Sequence, residues 1–207
     1  MHTMKHFVLC LTVFLIAHSS IQAQSRQELS ATLARDLEAY RTYTLALNLD
    51  SSLQFMPPKM FEVVPFDTLK ESMLSSMDNE YMTVQMTKFE FDSKKLPKIK
   101  KAGKYYWAYV PYKGSMRLTI KGEEEFKKIL IPILKNQFGT ENVQMEGEST
   151  LHIALKNKEL IAFKDPDSAN WSLIEDKRGE EGREGEQQKA LFESIMPAEV
   201  LKAVDKK

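Results

Sequence analysis

The chain has 207 residues, of which 43% are hydrophobic, and its 29 lysines and arginines balance 29 aspartates and glutamates. A chain of this length and composition can bury a sizeable core without disulfides or metals. The even charge balance gives no support for nucleic-acid binding, for which a basic stripe is typical.

The first 23 residues have the three parts of a signal peptide that is removed on export. Lys5 and His6 form a short basic start, and Phe7–Ala17 is an apolar run with a single polar member. Ala23 is a small residue at the predicted cleavage point. A membrane-spanning helix needs about 20 apolar residues, so the run is too short to remain as an anchor. A buried N-terminal helix is the alternative, but such a helix would show a polar face.

Cleavage after Ala23 leaves residues 24–207, which we predict to form one exported domain, either periplasmic or secreted. The only cysteine, Cys10, leaves with the signal peptide, so the mature chain has no disulfide and no thiol nucleophile. His152 is then the only histidine. No cysteine follows the cleavage point to carry a lipid, and we therefore expect no stable membrane anchor after cleavage.

Helical spacing dominates the first part of the mature chain. Ser25 and Glu28 have the spacing of a capping box, and apolar residues at steps of three and four continue to about Asn48. A short second helix is predicted at Asp50–Phe55, before two prolines. A third helix is predicted to begin near Pro65. Its expected buried stripe consists of Phe66, Leu69, Met73 and Met77.

A period of two replaces the helical spacing after the third helix. Apolar residues alternate and then change parity, so we predict a strand over 82–91 with a β-bulge at Thr87–Lys88. The next strand is predicted at Tyr105–Tyr112, which is rich in β-forming residues. Lys113–Gly114 is predicted to turn this strand into a partner over 116–120, which makes a hairpin.

The second half of the chain is predicted to add a helix, three strands and a helical C-terminus. Helical spacing covers 123–138, and Pro132 is expected to kink or split that helix. Residues 176–187 are charged and contain several glycines, which predicts a mobile loop. The predicted strands are Leu151–Leu155, Leu160–Phe163 and Trp171–Ile174, and the C-terminal helix lies near Lys189–Ile195 with a last turn opened by Pro197.

These elements predict an α+β fold, with N-terminal helices packed on a curved antiparallel sheet, an extra helix near 123–138 and a C-terminal helix. This order resembles the nuclear transport factor two-like, or cystatin-like, cone. Asn170–Ile174 followed by Ile195–Leu201 also resembles the ending of small exported bacterial proteins of this kind, and Pro57–Phe61 resembles the proline-marked stretch between their early helices. The resemblance covers most of 24–207, and the 123–138 helix would be an insertion. It implies a superfamily whose members range from isomerases and dehydratases to binding modules.

The mature chain offers few residues for catalysis or metal binding, and we assign it no catalytic residue, no metal and no cofactor. His152 is the only conventional base, and strand alternation places it on the face opposite its apolar neighbours. A single histidine without cysteine argues against a zinc site. Asp165, Asp167 and Asn170 offer oxygen ligands, but they break the calcium-loop pattern and favour a turn. The sequence contains no Gly-x-Ser-x-Gly motif.

Two features remain as a candidate ligand-binding site. Tyr105, Trp107 and Tyr109 share one strand face, and on a curved sheet such a face lines an apolar pocket, with ordinary core under the helices as the alternative. Glu90 is the second feature. Without the bulge Glu90 points inward, where burial raises the pKa of a carboxyl group and suits it to act as a general base. With the bulge Glu90 lies outside.

Three hypotheses for function follow from these features. The first is an exported non-enzymatic domain that binds a small apolar ligand or a protein partner through its concave sheet. The second is an isomerase- or dehydratase-like enzyme in the same cone, which requires a buried titratable group in a pocket. The third is an inhibitor or assembly module that acts through a sheet edge.

Overall fold

The computed structural model describes residues 26–92, 97–176 and 183–206, with only the backbone described at 183–185 and 188. The predicted signal peptide and its cleavage point lie outside these residues, as do positions 177–182 of the predicted mobile loop. The remainder of that loop prediction is wrong from Arg183 onwards, because a helix begins there.

The predicted α+β class is confirmed, with N-terminal helices, a curved antiparallel sheet, a helix at the predicted position in the middle of the chain and a helical C-terminus. The helices are α1 (Arg26–Leu45), α2 (Leu49–Ser52), α3 (Met60–Val63), α4 (Phe66–Met77), α5 (Glu124–Phe138), α6 (Arg183–Ile195) and α7 (Ala198–Val204). The strands are β1 (Met82–Phe91), β2 (Lys100–Ala102), β3 (Tyr105–Ile120), β4 (Val143–Glu146), β5 (Thr150–Lys164) and β6 (Ser172–Glu175).

Two long strands form the centre of the sheet. β3 and β5 run antiparallel from the pair Tyr106 and Lys164 to the pair Thr119 and Thr150. On one side of this pair, β1 pairs with the C-terminal part of β3 and β2 with its N-terminal part. On the other side, β4 and β6 both pair with β5. Among the described residues β2 pairs with β3 alone, so β2 forms part of one edge of the sheet.

The predicted bulge in β1 is confirmed. The pairing register with β3 shifts between Met86 and Lys88, which leaves Thr87 as the extra residue. Because one extra residue turns the following side chains to the other face, Phe89 becomes buried while Glu90 stays partly exposed.

The predicted hairpin at Lys113–Gly114 is wrong, since β3 continues through both residues to Ile120. Gly114 has a different role from the turn that we expected. A Cβ atom at this position would lie 2.5 Å from the carbonyl oxygen of Lys88, a residue that follows the β1 bulge. Glycine is therefore needed here because the two backbones approach closely.

A second bulge joins two strands that the sequence analysis separated. Leu151–Leu155 and Leu160–Phe163 both belong to the continuous strand β5. Asn157 between them has φ of 54°, a left-handed conformation that asparagine tolerates better than most residues.

The predicted split of the helix over 123–138 is also wrong, since α5 is continuous and Pro132 is exposed on it.

Neighbouring residues of the central strands pack into two different hydrophobic cores, because their side chains alternate between the faces of the sheet. We call them the α1 core and the C-terminal core. The α1 core contains Leu29, Leu33, Leu37, Phe89, Val110, Tyr112, Leu134, Ile153 and Trp171. The C-terminal core contains Met60, Trp107, Ile161, Phe163, Phe192, Ile195, Val200 and Val204.

Within the described ranges, we find no helix that combines the length and the apolar character needed to cross a membrane.

Candidate functional site

A cleft lies between helix α1 and the part of the sheet where β1 and β5 are bulged. It has a volume of about 850 Å³ and is open to solvent on one side. We call it the aromatic cleft. Its apolar lining includes Ala34 and Leu37 of α1, Phe89 and Phe91 of β1, and Tyr112 of β3.

Three aromatic rings form one wall of the aromatic cleft. The ring of Phe89 lies 4.9 Å from that of Phe91 and 4.8 Å from that of Tyr112, both in edge-to-face geometry. Tyr40 of α1 packs on Phe89 from the helix side at 5.8 Å. The bulge at Thr87 produces this wall, because it turns Phe89 and Phe91 towards α1.

Charged groups of both signs surround the aromatic wall. Arg41 donates two hydrogen bonds to Glu38, at 2.9 and 2.5 Å, and this contact holds the pKa of the Glu38 carboxyl below its ordinary value. Glu90 pairs with Lys88 at 3.1 Å and with Lys113 at 3.8 Å. With 42% of its side chain exposed, Glu90 has the environment of a surface carboxylate.

A polar network lies behind the aromatic wall. The hydroxyl of Tyr112 donates to Oε1 of Glu175 at 2.9 Å, and the ammonium of Lys158 lies 4.0 Å from the same oxygen. Burial raises the pKa of the Tyr40 hydroxyl above its ordinary value, and the nearby carboxylate of Glu175 raises it further. Because these polar groups already have partners in the protein, the cleft offers a ligand mainly apolar contact.

The four residues predicted as a ligand-binding site are divided between the two faces of the sheet. Glu90 lines the aromatic cleft. Tyr105, Trp107 and Tyr109 share one face, as predicted, but that face packs against the C-terminal core. The ring of Trp107 lies 5.3 Å from that of Tyr109, whose hydroxyl donates to the carbonyl oxygen of Val204 at 3.1 Å. Only Trp107 of these three lines a pocket described below.

Phe91, Tyr112 and Arg41 were not predicted as cleft residues. The change of apolar parity at the predicted bulge was the available signal for Phe91, but it did not indicate which helix covers that face. Arg41 carried no signal of its own, since its place beside the cleft depends on how α1 crosses the sheet.

The remaining titratable candidates lie outside the aromatic cleft. His152 is half-buried on β5, on the face opposite the buried Leu151 and Ile153. Asp165 accepts a hydrogen bond from the backbone N–H of Asp167 at 3.1 Å, which makes the predicted turn. Its ion pair with Lys104 at 2.8 Å lowers the pKa of its carboxyl. No group of three or more histidine, cysteine or acidic residues that could hold a metal ion occurs in the described part of the chain.

Comparison of the chain with known protein families gives no match, and comparison with curated proteins gives no significant match.

Proposed function

We propose that the protein is a binding module that holds a small apolar ligand in the aromatic cleft. The observation that carries this proposal is the wall of three rings, Phe89, Phe91 and Tyr112, in a cleft of about 850 Å³. Ligand pockets have volumes of about 300–1,000 Å³ and are lined mainly by apolar and aromatic side chains. The site differs from the one first expected, because the rings come from β1 and the centre of β3.

The isomerase or dehydratase hypothesis required a desolvated carboxylate in this position. Glu90 instead has two lysines as partners and an exposed side chain. Arg41 and Glu38 at the rim neutralise each other. An apolar site whose charged groups are already paired suits binding better than proton transfer, which needs a group with a pKa near the working pH.

We also propose export and a relationship to the nuclear transport factor two-like, or cystatin-like, cone. The apolar run before Ala23 supports export to the periplasm or the outside. Helices that pack on a bent antiparallel sheet support the cone relationship, and the aromatic cleft lies between them. This relationship concerns the fold and does not identify a ligand.

Titration with a neutral fluorescent probe, N-phenylnaphthylamine, tests the proposed cleft. Ala34 is half-buried on α1 and lines the cleft, so Ala34→Phe fills the space without removing a core side chain. Ala31→Phe is the matched control, because Ala31 is exposed on the same helix and outside the lining. We expect Ala34→Phe to weaken probe binding by about tenfold or more, since the added ring takes up the volume of the probe.

The control variant should bind the probe as the unchanged protein does, and both variants should melt cooperatively. Equal probe binding by the Ala34→Phe protein and the unchanged protein would contradict the proposal. The probe is neutral, so that attraction to charged groups elsewhere on the surface does not contribute to its binding.

A further inference from the structure

A second pocket lies on the other side of the sheet, between the edge strand β2 and helix α7. It has a volume of about 440 Å³. We call it the basic pocket. Its charged and aromatic lining consists of Lys100, Lys101, Trp107, Glu199, Lys202 and Lys206.

The positions of these residues follow from the two elements. Lys100 pairs in register with Trp107 across β2 and β3, and its ammonium lies 4.7 Å from the centre of the Trp107 ring. Glu199, Lys202 and Lys206 are three, four and seven residues apart along α7 and its last turn, which places them on one side of the helix. The two elements thus bring the ammonium groups of Lys100, Lys202 and Lys206 and one carboxylate to the same pocket, while the ammonium of Lys101 lies over Tyr106 on the other face of the sheet.

The four lysines have no ion-pair partner within 4.0 Å among the described residues. Elsewhere on the surface lysines do find carboxylates, as Lys88 does with Glu90 and Lys104 with Asp165. Of these, Lys100, Lys202 and Lys206 place unpaired cations around a concave surface, where they focus a positive potential that attracts an anion.

Trp107 adds an observation that surface lysines alone do not provide. Its side chain is 3% exposed, and its indole Nε1–H is buried without a hydrogen-bond acceptor in the described structure. A buried donor without an acceptor is costly to a folded protein. Lysines on an edge strand can be explained as protection against aggregation, but that explanation does not cover Lys202 and Lys206, which lie on and just after helix α7 and line the same pocket.

We propose that the basic pocket is a second binding site and that it takes a small organic anion with an apolar part. The ammonium groups of Lys100, Lys202 and Lys206 contact its carboxylate or phosphate next to Trp107, which lines the same pocket. The apolar part lies against Ala102 and Ala203, which complete the lining. Lysine binds oxyanions as a point charge, which admits both carboxylate and phosphate.

The two tryptophans of the chain give a direct test by NMR, because each contributes one indole N–H signal. Trp171 is an internal reference: it is fully buried in the α1 core and its indole already donates to Thr32 at 3.1 Å. We expect benzoate and phenyl phosphate to shift the Trp107 signal in a saturable manner and to leave the Trp171 signal in place. Trp107→Phe assigns the two signals.

Acetate and inorganic phosphate at equal ionic strength separate the organic ligand from a bare anion. We expect the aromatic anions to bind about tenfold more tightly, because each adds a ring that leaves water on binding. Equal affinity for the aromatic and the small anions would overturn the assignment of an organic ligand.

Charge variants test which residues hold the anion. Lys100→Gln and Lys202→Gln are each expected to weaken binding by about fivefold to tenfold at low salt. Glu199→Gln is expected to tighten it, because it removes the only carboxylate in the lining. Lys128→Gln is the control, since Lys128 is exposed on α5 and outside the pocket.

A Trp107 signal that no anion moves would overturn the proposal. So would a Lys128→Gln variant that loses as much affinity as Lys100→Gln, because the anion would then respond only to the overall charge. All the substituted charges are exposed, so cooperative melting of each variant is the expected check on its fold.

Discussion

Asp36 lies almost fully buried in the middle of helix α1, and both of its carboxylate oxygens have partners. One oxygen accepts a hydrogen bond from the backbone N–H of Trp171 at 2.9 Å, and the other accepts from Nε of Arg35 at 2.8 Å. The first of these bonds ties α1 to the residue immediately before β6. Since α1 forms one side of the aromatic cleft, Asp36 helps to fix the width of that cleft.

We predict that Asp36→Ala destabilises the protein by about 1–3 kcal/mol, because it leaves the buried N–H of Trp171 without an acceptor. Asp36→Asn keeps an acceptor oxygen and should therefore lose less stability than Asp36→Ala. Urea unfolding curves measure both effects. Glu71→Ala on α4 is the control, since Glu71 is exposed, and it should change the stability by no more than about 0.5 kcal/mol. An Asp36→Ala protein as stable as this control would show that the hydrogen bond to Trp171 contributes little.

At the scale of elements, the two bulges explain what the sequence did and did not predict. The bulge in β1 was predictable because Met86 and Phe89 are both apolar, so the change of parity is visible in the sequence. The continuity of β3 and β5 was not predictable, because Gly114 and Asn157 are residue types that are also common in turns. What decides between turn and strand at Gly114 is the backbone of β1, which is distant in sequence.

We predict that Gly114→Ala costs about 1–3 kcal/mol of stability, because its Cβ would lie 2.5 Å from the carbonyl oxygen of Lys88 and the strands must move apart. The same movement displaces Phe89, so binding of the neutral probe should weaken as well. Thermal melts and probe titrations are the measurements.

Gly147→Asn is the matched control for this prediction. Gly147 has φ of 80° and open space around its Cα, and asparagine tolerates that backbone conformation. It should therefore leave probe binding unchanged. A Gly114→Ala protein with the same melting temperature as the unchanged protein would mean that the two strands do not approach as closely as described.

At the scale of the whole molecule, we propose that the N-terminal segment is a signal for export. We predict that the chain isolated from its native source begins at or near Gln24, because a short apolar run precedes Ala23. Intact-mass measurement checks this. The cleaved chain lacks cysteine, so its thermal midpoint should be the same with and without reductant. A species that retains Cys10 would contradict the predicted export.

Helix α1 covers one face of the sheet, and helices α6 and α7 cover the other. The aromatic residues of the strand were predicted from the sequence to be buried. The sequence did not indicate which helices would bury them. The periodicity of a strand predicts which residues share a face. Which helix packs on each face depends on the positions of helices that are distant in sequence. This is why Trp107 was correctly expected on a face with Tyr109, whereas the aromatic cleft was found on the reverse side.

The C-terminal helix α7 is therefore expected to be part of the folded structure rather than an appendage. Val200 and Val204 are fully buried in the C-terminal core with Trp107, and the hydroxyl of Tyr109 donates to the carbonyl oxygen of Val204. Deletion of residues 197–207 removes both valines, and burial of each side chain stabilises the folded state by about 1.5–3 kcal/mol. We predict a lower midpoint of unfolding and a red shift of tryptophan emission, because Trp107 becomes exposed while Trp171 remains in the other core. Deletion of Lys207 alone is the control, and a truncated protein with the midpoint and emission of that control would refute the prediction.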